Sequence, residues 1–258
     1  MPHYPLSLLL SCALVLACSE PPPGHLQPVI GQPANPFLRH AQTRLEAARA
    51  AHRAESAPAD AVWQLGSACF DRAEFAINDA ERAALAEEGA EVCRQFLAKH
   101  PDKPDSAPSH YYLAMNLGQL ARVKKLEALG LVGDMEKHFL RVRDLNATFS
   151  HAGADRNLGL LYFKAPGWPL SVGSNKKARQ HLQRAAELAP NFPDNRLNLL
   201  EAHLKWGNAA EATAERAGIE KMWPAAREQF AGPDWAASWA DWQARWETLR
   251  APPQSPRP

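Results

Sequence analysis

The sequence has 258 residues, of which 46% are hydrophobic and 22% are charged, so it is too apolar to be mostly disordered. The 29 Lys and Arg residues nearly balance the 28 Asp and Glu residues, and the formal net charge is +1. This balance excludes a bulk electrostatic attraction to nucleic acid or to an anionic membrane surface. Partners must therefore be selected by local surfaces on a chain long enough for one sizeable helical domain.

The first 17 residues have the pattern of a signal peptide. The apolar stretch from Leu6 to Leu16 is too short to span a bilayer as a mature helix but suits a signal core. Cys18 follows the small residue Ala17, which resembles a bacterial lipoprotein signal, where such a cysteine is lipidated, for example with palmitate. A plain secretory peptide or an uncleaved anchor is the alternative. We expect an exported protein held as a lipoprotein on the periplasmic face of the inner or the outer membrane.

Proline-rich segments flank the remainder of the chain. Residues 18–35 contain scattered prolines and are expected to form an extended tether of up to roughly 50 Å, at about 3 Å per residue. Residues 251–258 are expected to be a disordered tail. The domain that folds is therefore predicted to be residues 36–250.

The first predicted helices begin with a lead-in helix, which has Asn35 as its N-cap and Pro36 at its first position. A second helix follows after Pro58, and its partner runs from about residue 79 to residue 99. Cys69 and Cys93 fall on these two consecutive helices, where a disulfide is geometrically conceivable. The sequence supports equally the alternative that both cysteines are free, small and buried.

The second predicted pair starts after Pro108 and returns through a helix at about residues 134–149. Between its helices lies the apolar, glycine-punctuated connector 129–133. Such a connector is unusual for a solvated loop, and we expect a neighbouring element to cover it.

The third pair carries the clearest repeat signal. Small and large residues alternate at Ala178, Leu182 and Ala185, Pro190 stops the helix, and Ala212 falls about 34 residues after Ala178. This is the spacing of a tetratricopeptide (TPR) repeat, in which small residues let two antiparallel helices approach closely. The sequence therefore predicts an all-α, TPR-like solenoid of about four helical pairs.

A fourth pair begins near Asp194 and turns at Gly207, and a last helix follows from about residue 233 to residue 249. This helix places four tryptophans on one face. A helix that seals the exposed core of the last repeat is the favoured interpretation, and an aromatic binding wall is the other. The four residues are Trp235, Trp239, Trp242 and Trp246.

Four segments together resemble bacterial TPR lipoproteins related to the T-component of tripartite ATP-independent periplasmic (TRAP) transporters. They are YLAMNLG at 112–118, LGLLY at 158–162, APGWP at 165–169 and GSNKKA at 173–178. The resemblance covers less than half of the chain. It implies an all-helical, lipid-anchored, non-enzymatic periplasmic protein. Some members of the group pair with a solute-binding protein.

The segment between Tyr162 and Ala178 is longer than a TPR turn, and insertions in solenoids often carry function. Ser174 is a candidate N-cap, and Lys176 and Lys177 in the first turn of the next helix oppose its dipole. A bound anion would compensate for these charges, as would a nearby Glu or Asp. The alternatives are thus a ligand-binding loop and a structural loop. We expect Trp168 to pack over the repeat.

The first helices of TPR pairs line the concave face, so their exposed positions are candidate partner-binding residues. Their mixed character suits a peptide or protein segment better than a small polar metabolite. An ordinary solvated face is the alternative. The candidates are Tyr112, Met115, Gln119, Arg156, Leu160, Phe163, Leu197, Glu201 and Lys205.

No sequence motif indicates chemistry. The ten histidines form no metal-binding spacing, and no nucleophile elbow, phosphate loop or dinucleotide fingerprint is present. We therefore expect no metal, no cofactor and no enzymatic activity. The leading hypothesis is an exported, membrane-tethered TPR scaffold that binds a protein partner, one candidate being a solute-binding protein of a TRAP-type system. The alternatives are a binding module for an apolar small molecule or lipid, and a structural envelope protein; the sequence does not indicate an oligomeric state.

Overall fold

The computed structural model describes residues 35–55, 60–101, 103–124 and 127–251. Cys18, the predicted signal peptide and almost all of the tether lie outside these ranges, as do residues 252–258. The described part of the chain is helical, with one isolated β-bridge between Gly167 and Gly173. Its helices are α1 (Pro36–Arg53), α2 (Ala61–Ala73), α3 (Asp79–Lys99), α4 (Ala107–Val123), α5 (Ala128–Leu145), α6 (Phe149–Lys164), α7 (Asn175–Leu188), α8 (Pro193–Lys205), α9 (Ala209–Gln229) and α10 (Ala236–Leu249).

Side-chain caps define several helix starts. The Oδ1 atom of Asn35 accepts a hydrogen bond from the amide of Phe37 at 3.0 Å, and the hydroxyl of Ser174 accepts one from the amide of Lys177 at 3.3 Å. Each cap satisfies an amide that has no partner within its helix. The N-caps predicted at Asn35 and Ser174 are therefore confirmed.

The helices pack as neighbouring pairs in chain order: α2 with α3, α4 with α5, α6 with α7, and α8 with α9. Helix α1 lies against α2, and α10 lies against α8. Close approach depends on small residues, because a Cβ atom on Gly159 of α6 would lie 2.7 Å from Cγ of Leu182 in α7. The same holds in the first pair, where a Cβ on Gly66 would lie 2.6 Å from Sγ of Cys93.

The four tryptophans predicted on one face of the last helix are all buried. They pack with residues of α8 and α9 in one hydrophobic cluster that includes Phe192, Ile219 and Phe230. The indole of Trp239 also donates a hydrogen bond to the carbonyl oxygen of Phe230 at 2.6 Å. This burial excludes an aromatic wall open to solvent.

The second pair differs from the sequence prediction at both ends of its return helix. Helix α5 begins at Ala128, so the connector predicted at 129–133 is its first turns, and Phe149 belongs to α6. Ala128, Val132 and Met135 are buried at helical spacing, and this burial outweighs the low helix propensity of the two glycines.

Helix α6 opens with one left-handed turn. Ser150, His151 and Ala152 have φ values of 54°, 55° and 59°, which is uncommon for residues with a side chain. The buried guanidinium of Arg156 donates to the carbonyl oxygens of Ser150 and His151 at 3.2 and 3.1 Å. The amide of Asn195 donates to the second carbonyl at 3.0 Å. These bonds from α6 and α8 hold the turn.

An additional contact joins helix α1 to the turn that precedes α10. The Nε2 atom of His40 in α1 lies 2.7 Å from Oδ1 of Asp234, which precedes α10. Arg44, one turn further along α1, pairs with the buried Asp71 of α2 at 2.6 Å. Helix α1 therefore touches both the start and the end of the stack.

None of the described helices combines the length and the apolarity needed to cross a membrane.

Candidate functional site

The inserted segment forms a loop fastened to its own ends, which we call the 165–174 loop. The amide of Ser174 donates to the carbonyl oxygen of Tyr162 at 2.9 Å, and the amide of Gly173 donates to that of Pro166 at 2.8 Å. A Cβ atom on Gly173 would lie 2.1 Å from the carbonyl oxygen of Ala165, so only glycine fits there without movement. The loop is therefore a bonded structure that connects α6 to α7.

The outermost side chains of this loop are apolar. Trp168 is 89% exposed and Leu170 is 69% exposed. The expectation that Trp168 packs over the repeat is wrong, because the loop bonds to its own backbone and leaves the indole pointing outward. A large exposed apolar side chain on a fixed loop is the kind of feature that marks an interaction site.

The charges in the first turn of α7 have a partner within the chain. Nζ of Lys177 lies 3.5 Å from Oε1 of Glu136 in α5 and 4.7 Å from the ring centroid of Tyr162. The hydroxyl of Tyr162 donates to the same Glu136 oxygen at 2.6 Å. The sequence left open whether a bound anion or a nearby acidic residue balances these lysines. For Lys177, the nearby acidic residue is present. Lys176 is exposed beside it.

Most of the residues that were predicted to line a concave groove lie in the interior of the protein. The expectation that they form an accessible surface is therefore wrong. Side chains on neighbouring helices fill the space beside them. Arg156 donates to the hydroxyl of Tyr111 at 3.3 Å and to Asn195 at 3.1 Å, and the side chain of Gln119 bonds to Glu74 and accepts from Arg82 at 3.1 Å. The buried candidates are Tyr112, Met115, Gln119, Arg156, Leu160 and Leu197.

Three groove candidates keep contact with solvent. Phe163 and Glu201 are half-buried and Lys205 is exposed. Phe163 packs edge-on against Trp206 with ring centroids 5.4 Å apart, and Glu201 accepts from Arg245 of α10 at 2.9 Å. These residues lie near the ends of α6 and α8 rather than along a groove.

Cys69 and Cys93 are free and buried. Burial raises the pKa of Cys93 to about 12 and raises that of Cys69 as well. The structure thus has the second of the two alternatives, two buried thiols, and such thiols are unreactive at neutral pH.

A cleft of about 660 Å³ opens between the end of α3, the start of α4 and the outer side of α5. Its apolar lining comes from Leu97, Pro101 and Leu140, and its charged lining comes from α5. Sequence reasoning missed this cleft because its residues come from three helices and share no spacing. The charged lining residues are Glu136, Lys137, Arg141 and Asp144, and His138 also lines it.

Two histidines meet at this cleft. The Nδ1 atoms of His110 and His138 lie 2.8 Å apart, and Nε2 of His110 lies 3.0 Å from the carbonyl oxygen of Pro101. Burial, reinforced by the charge of His110, lowers the pKa of His138 to about 4. In the described ranges no group of three or more His, Cys, Asp or Glu side chains is placed to hold a metal ion.

A repeated asparagine is another feature that sequence reasoning missed. Asn116, Asn157 and Asn198 are buried at equivalent places in α4, α6 and α8, and their intervals are equal (157 − 116 = 198 − 157 = 41). The first donates to the carbonyl oxygen of Gly66 at 2.9 Å, and the last accepts from Arg245 at 2.6 Å. The recurrence of Asn-Leu-Gly at 116 and 157 was the available signal.

Comparison with known proteins finds no family model that matches the chain and no curated protein that is significantly similar to it.

Proposed function

We propose that this chain is an exported, membrane-tethered, TPR-like helical scaffold that binds a protein partner. Helical pairs packed in chain order, with small residues where helices meet, support the scaffold assignment. The buried tryptophan face of α10 against α8 and α9 supports its role as the cap of the last pair. The signal-like start of the sequence and Cys18 support export and tethering.

The cleft between α3, α4 and α5 is the observation that carries partner binding. It combines an apolar floor at Leu97 and Leu140 with a rim that bears both signs of charge, such as the exposed Lys137 and Asp144. An apolar centre with a polar rim is the usual anatomy of a protein interface, and a peptide segment with one apolar side chain between charges would fit it. The buried groove candidates offer no comparable surface.

A solute-binding protein of a TRAP-type system is the candidate partner that the sequence resemblance suggests. The scaffold would then hold that protein near the membrane while the transporter exchanges ligand with it. Because the cleft presents charges of both signs, the proposal expects binding that depends on the apolar floor and varies only modestly with salt.

A photo-crosslinking residue at position 137 tests the proposal, with the same residue at the exposed position 220 on α9 as a matched control. We expect the cleft position to capture one defined protein in intact envelopes, and the substitution Leu140→Asp to abolish that capture while far-UV circular dichroism stays unchanged. Equal capture at both positions, or capture that Leu140→Asp does not alter, would contradict protein binding at the cleft. A bound lipid in native mass spectra with no captured protein would favour the apolar-ligand alternative.

A further inference from the structure

The turns that join the two helices of each pair lie together along one edge of the stack, which we call the turn edge. It comprises residues 74–78 between α2 and α3, 124 and 127–128 between α4 and α5, the 165–174 loop between α6 and α7, and residues 206–208 between α8 and α9. In successive antiparallel pairs, each such turn falls on the same side.

Contacts at helix ends place the first turn beside the second and the third turn beside the fourth. Arg122 at the end of α4 lies 3.3 Å from Glu74 in the first turn. The hydroxyl of Tyr162 near the end of α6 reaches Glu136 in the middle of α5 at 2.6 Å. The indole of Trp206 after α8 donates to Asn175 at the start of α7 at 3.2 Å.

The turn edge carries most of the large apolar side chains that the described residues expose. Ile77 is 82% exposed in the first pair, and Leu129, beside the second turn, is 46% exposed. Trp168 and Leu170 in the third pair are 89% and 69% exposed. Leu188, at the opposite edge, is 37% exposed. The exposed apolar surface is thus concentrated on one edge and continues over three successive pairs.

The spread of these side chains favours a flat partner. Packed helices lie about 8–10 Å apart, so a row over three successive pairs is roughly 20 Å wide or more, too wide for one pocket on a protein. Tryptophan is also the side chain that best suits the boundary between lipid and water, because its ring is apolar and its N–H is polar.

The charges beside the 165–174 loop agree with anionic headgroups, whereas the exposed acids Asp79 and Glu127 lie beside the first and second turns. Glu74 and Glu136 are paired with Arg122 and Lys177. The exposed side chains of Lys176 and Lys205 lie at the start of α7 and the end of α8, beside the apolar loop. Cations that flank an apolar apex are attracted to an anionic lipid surface.

We propose that the turn edge lies on the surface of a lipid bilayer, with Trp168 and Leu170 inserted at the level of the headgroups. This inference rests on the proposed tether. An extended stretch from Cys18 to Pro36 would reach up to roughly 50 Å at about 3 Å per residue and would hold the domain at high effective concentration beside the membrane. The cleft on the outer side of α5 stays accessible in this orientation, and the scaffold therefore has a fixed direction relative to the membrane.

Fluorescence of the lipid-anchored full chain tests the proposal in vesicles of phosphatidylcholine and phosphatidylglycerol, some of which carry bromine on the acyl chains. Bromine quenches only tryptophans that reach the lipid. We expect brominated lipid to quench the parent chain and Trp168→Phe to lose most of that quenching, because Trp206, the other tryptophan of the turn edge, is half-buried. Equal quenching of the two proteins, or free access of aqueous iodide to Trp168 on vesicles, would overturn the proposal.

Two controls separate the edge from the tether. Leu170→Ser should reduce the quenching of Trp168, whereas Leu188→Ser at the opposite edge should leave it unchanged; equal effects would contradict the orientation. Flotation of Cys18→Ser with vesicles tests the anchor separately. If the parent floats without quenching, the tether stands and the edge proposal fails. If Trp168 becomes shielded only when a second protein is added, the edge binds protein instead of lipid.

Discussion

The Nδ1 atoms of His110 and His138 lie 2.8 Å apart, within hydrogen-bonding distance of each other. The carbonyl oxygen of Pro101 can only accept, so Nε2 of His110 is the donor to it and Nδ1 of His110 accepts from Nδ1–H of His138. In this arrangement a second proton on His110 would have to enter at Nδ1 and would set two N–H groups against each other, whereas His138 would take its second proton at Nε2. Burial is the main cause of the lowered pKa of His138.

We expect the protein to lose stability in mild acid because of His138. In the folded protein His138 has a pKa of about 4, while an unfolded histidine has a pKa near its ordinary value of 6.5. The unfolded state therefore binds more protons between these pH values, and the free energy of unfolding falls as the pH drops through this window. Urea unfolding at neutral and at mildly acidic pH should show a smaller loss for His138→Gln than for the parent. His151, whose pKa burial lowers to about 4, contributes equally to both proteins, so parallel losses would contradict the prediction for His138.

Gly173 should be required for the 165–174 loop. A methyl group there would meet the carbonyl oxygens of Ala165 and Pro166 at 2.1 and 2.6 Å, and backbone atoms cannot move aside as a flexible side chain can. We expect Gly173→Ala to cost about 1–3 kcal/mol in the free energy of unfolding. Gly167→Ala is the matched control, because its new methyl would have its nearest contact at 3.8 Å. Equal costs would show that the loop is not held at Gly173.

The approach of α6 to α7 can be tested at Gly159. Its substitution by alanine would push against the Leu182 side chain and backbone nitrogen at 2.7 to 3.0 Å, and we expect a cost of about 1–3 kcal/mol. Gly130 on α5 has no atom within 4 Å of an added Cβ, so Gly130→Ala should stabilise the helix by about 0.5–1 kcal/mol. Thermal unfolding of the two variants should therefore shift in opposite directions, and a shift of both in one direction would contradict close packing at Gly159.

Arg245 should be a major link between α10 and α8. It donates to Asp194 at 2.8 Å, to Glu201 at 2.9 Å and to Asn198 at 2.6 Å. Arg245→Leu leaves the buried Asp194 carboxylate without its cation and should cost about 3–5 kcal/mol. Adding Asp194→Asn to that variant removes the buried charge and should recover part of the loss in urea unfolding. A double variant no more stable than the single one would mean that the charge of Asp194 is not the source of the cost.

The sequence predicted local features well because they depend on neighbouring residues. Asn35 and Ser174 cap the helices that they were expected to cap, and Trp235 and the three tryptophans of α10 are all buried as predicted. The start of α5 was missed because two glycines in an apolar run are locally compatible with a loop or a helix. Burial of Val132 against the core favours the helix, and this burial depends on residues that are distant in sequence.

The candidate surface was predicted less well, for a similar reason. Repeat position indicates which way Met115 and Arg156 face, but it does not indicate how closely the opposing helices approach. Arg156 is buried because it holds a left-handed turn at Ser150 and His151, a conformation with no signature in residues of these types. The exposure of Trp168 likewise follows from backbone bonds within its loop, which no spacing rule describes.

The bond between His40 and Asp234 changes how the stack should respond to damage. In an open array each repeat touches only its neighbours, so the two ends unfold independently and fray first. Here the first helix also touches the turn before α10, so loss of α1 would weaken the last helix, and loss of α10 would weaken the first. We therefore expect the terminal elements of the described domain to unfold together.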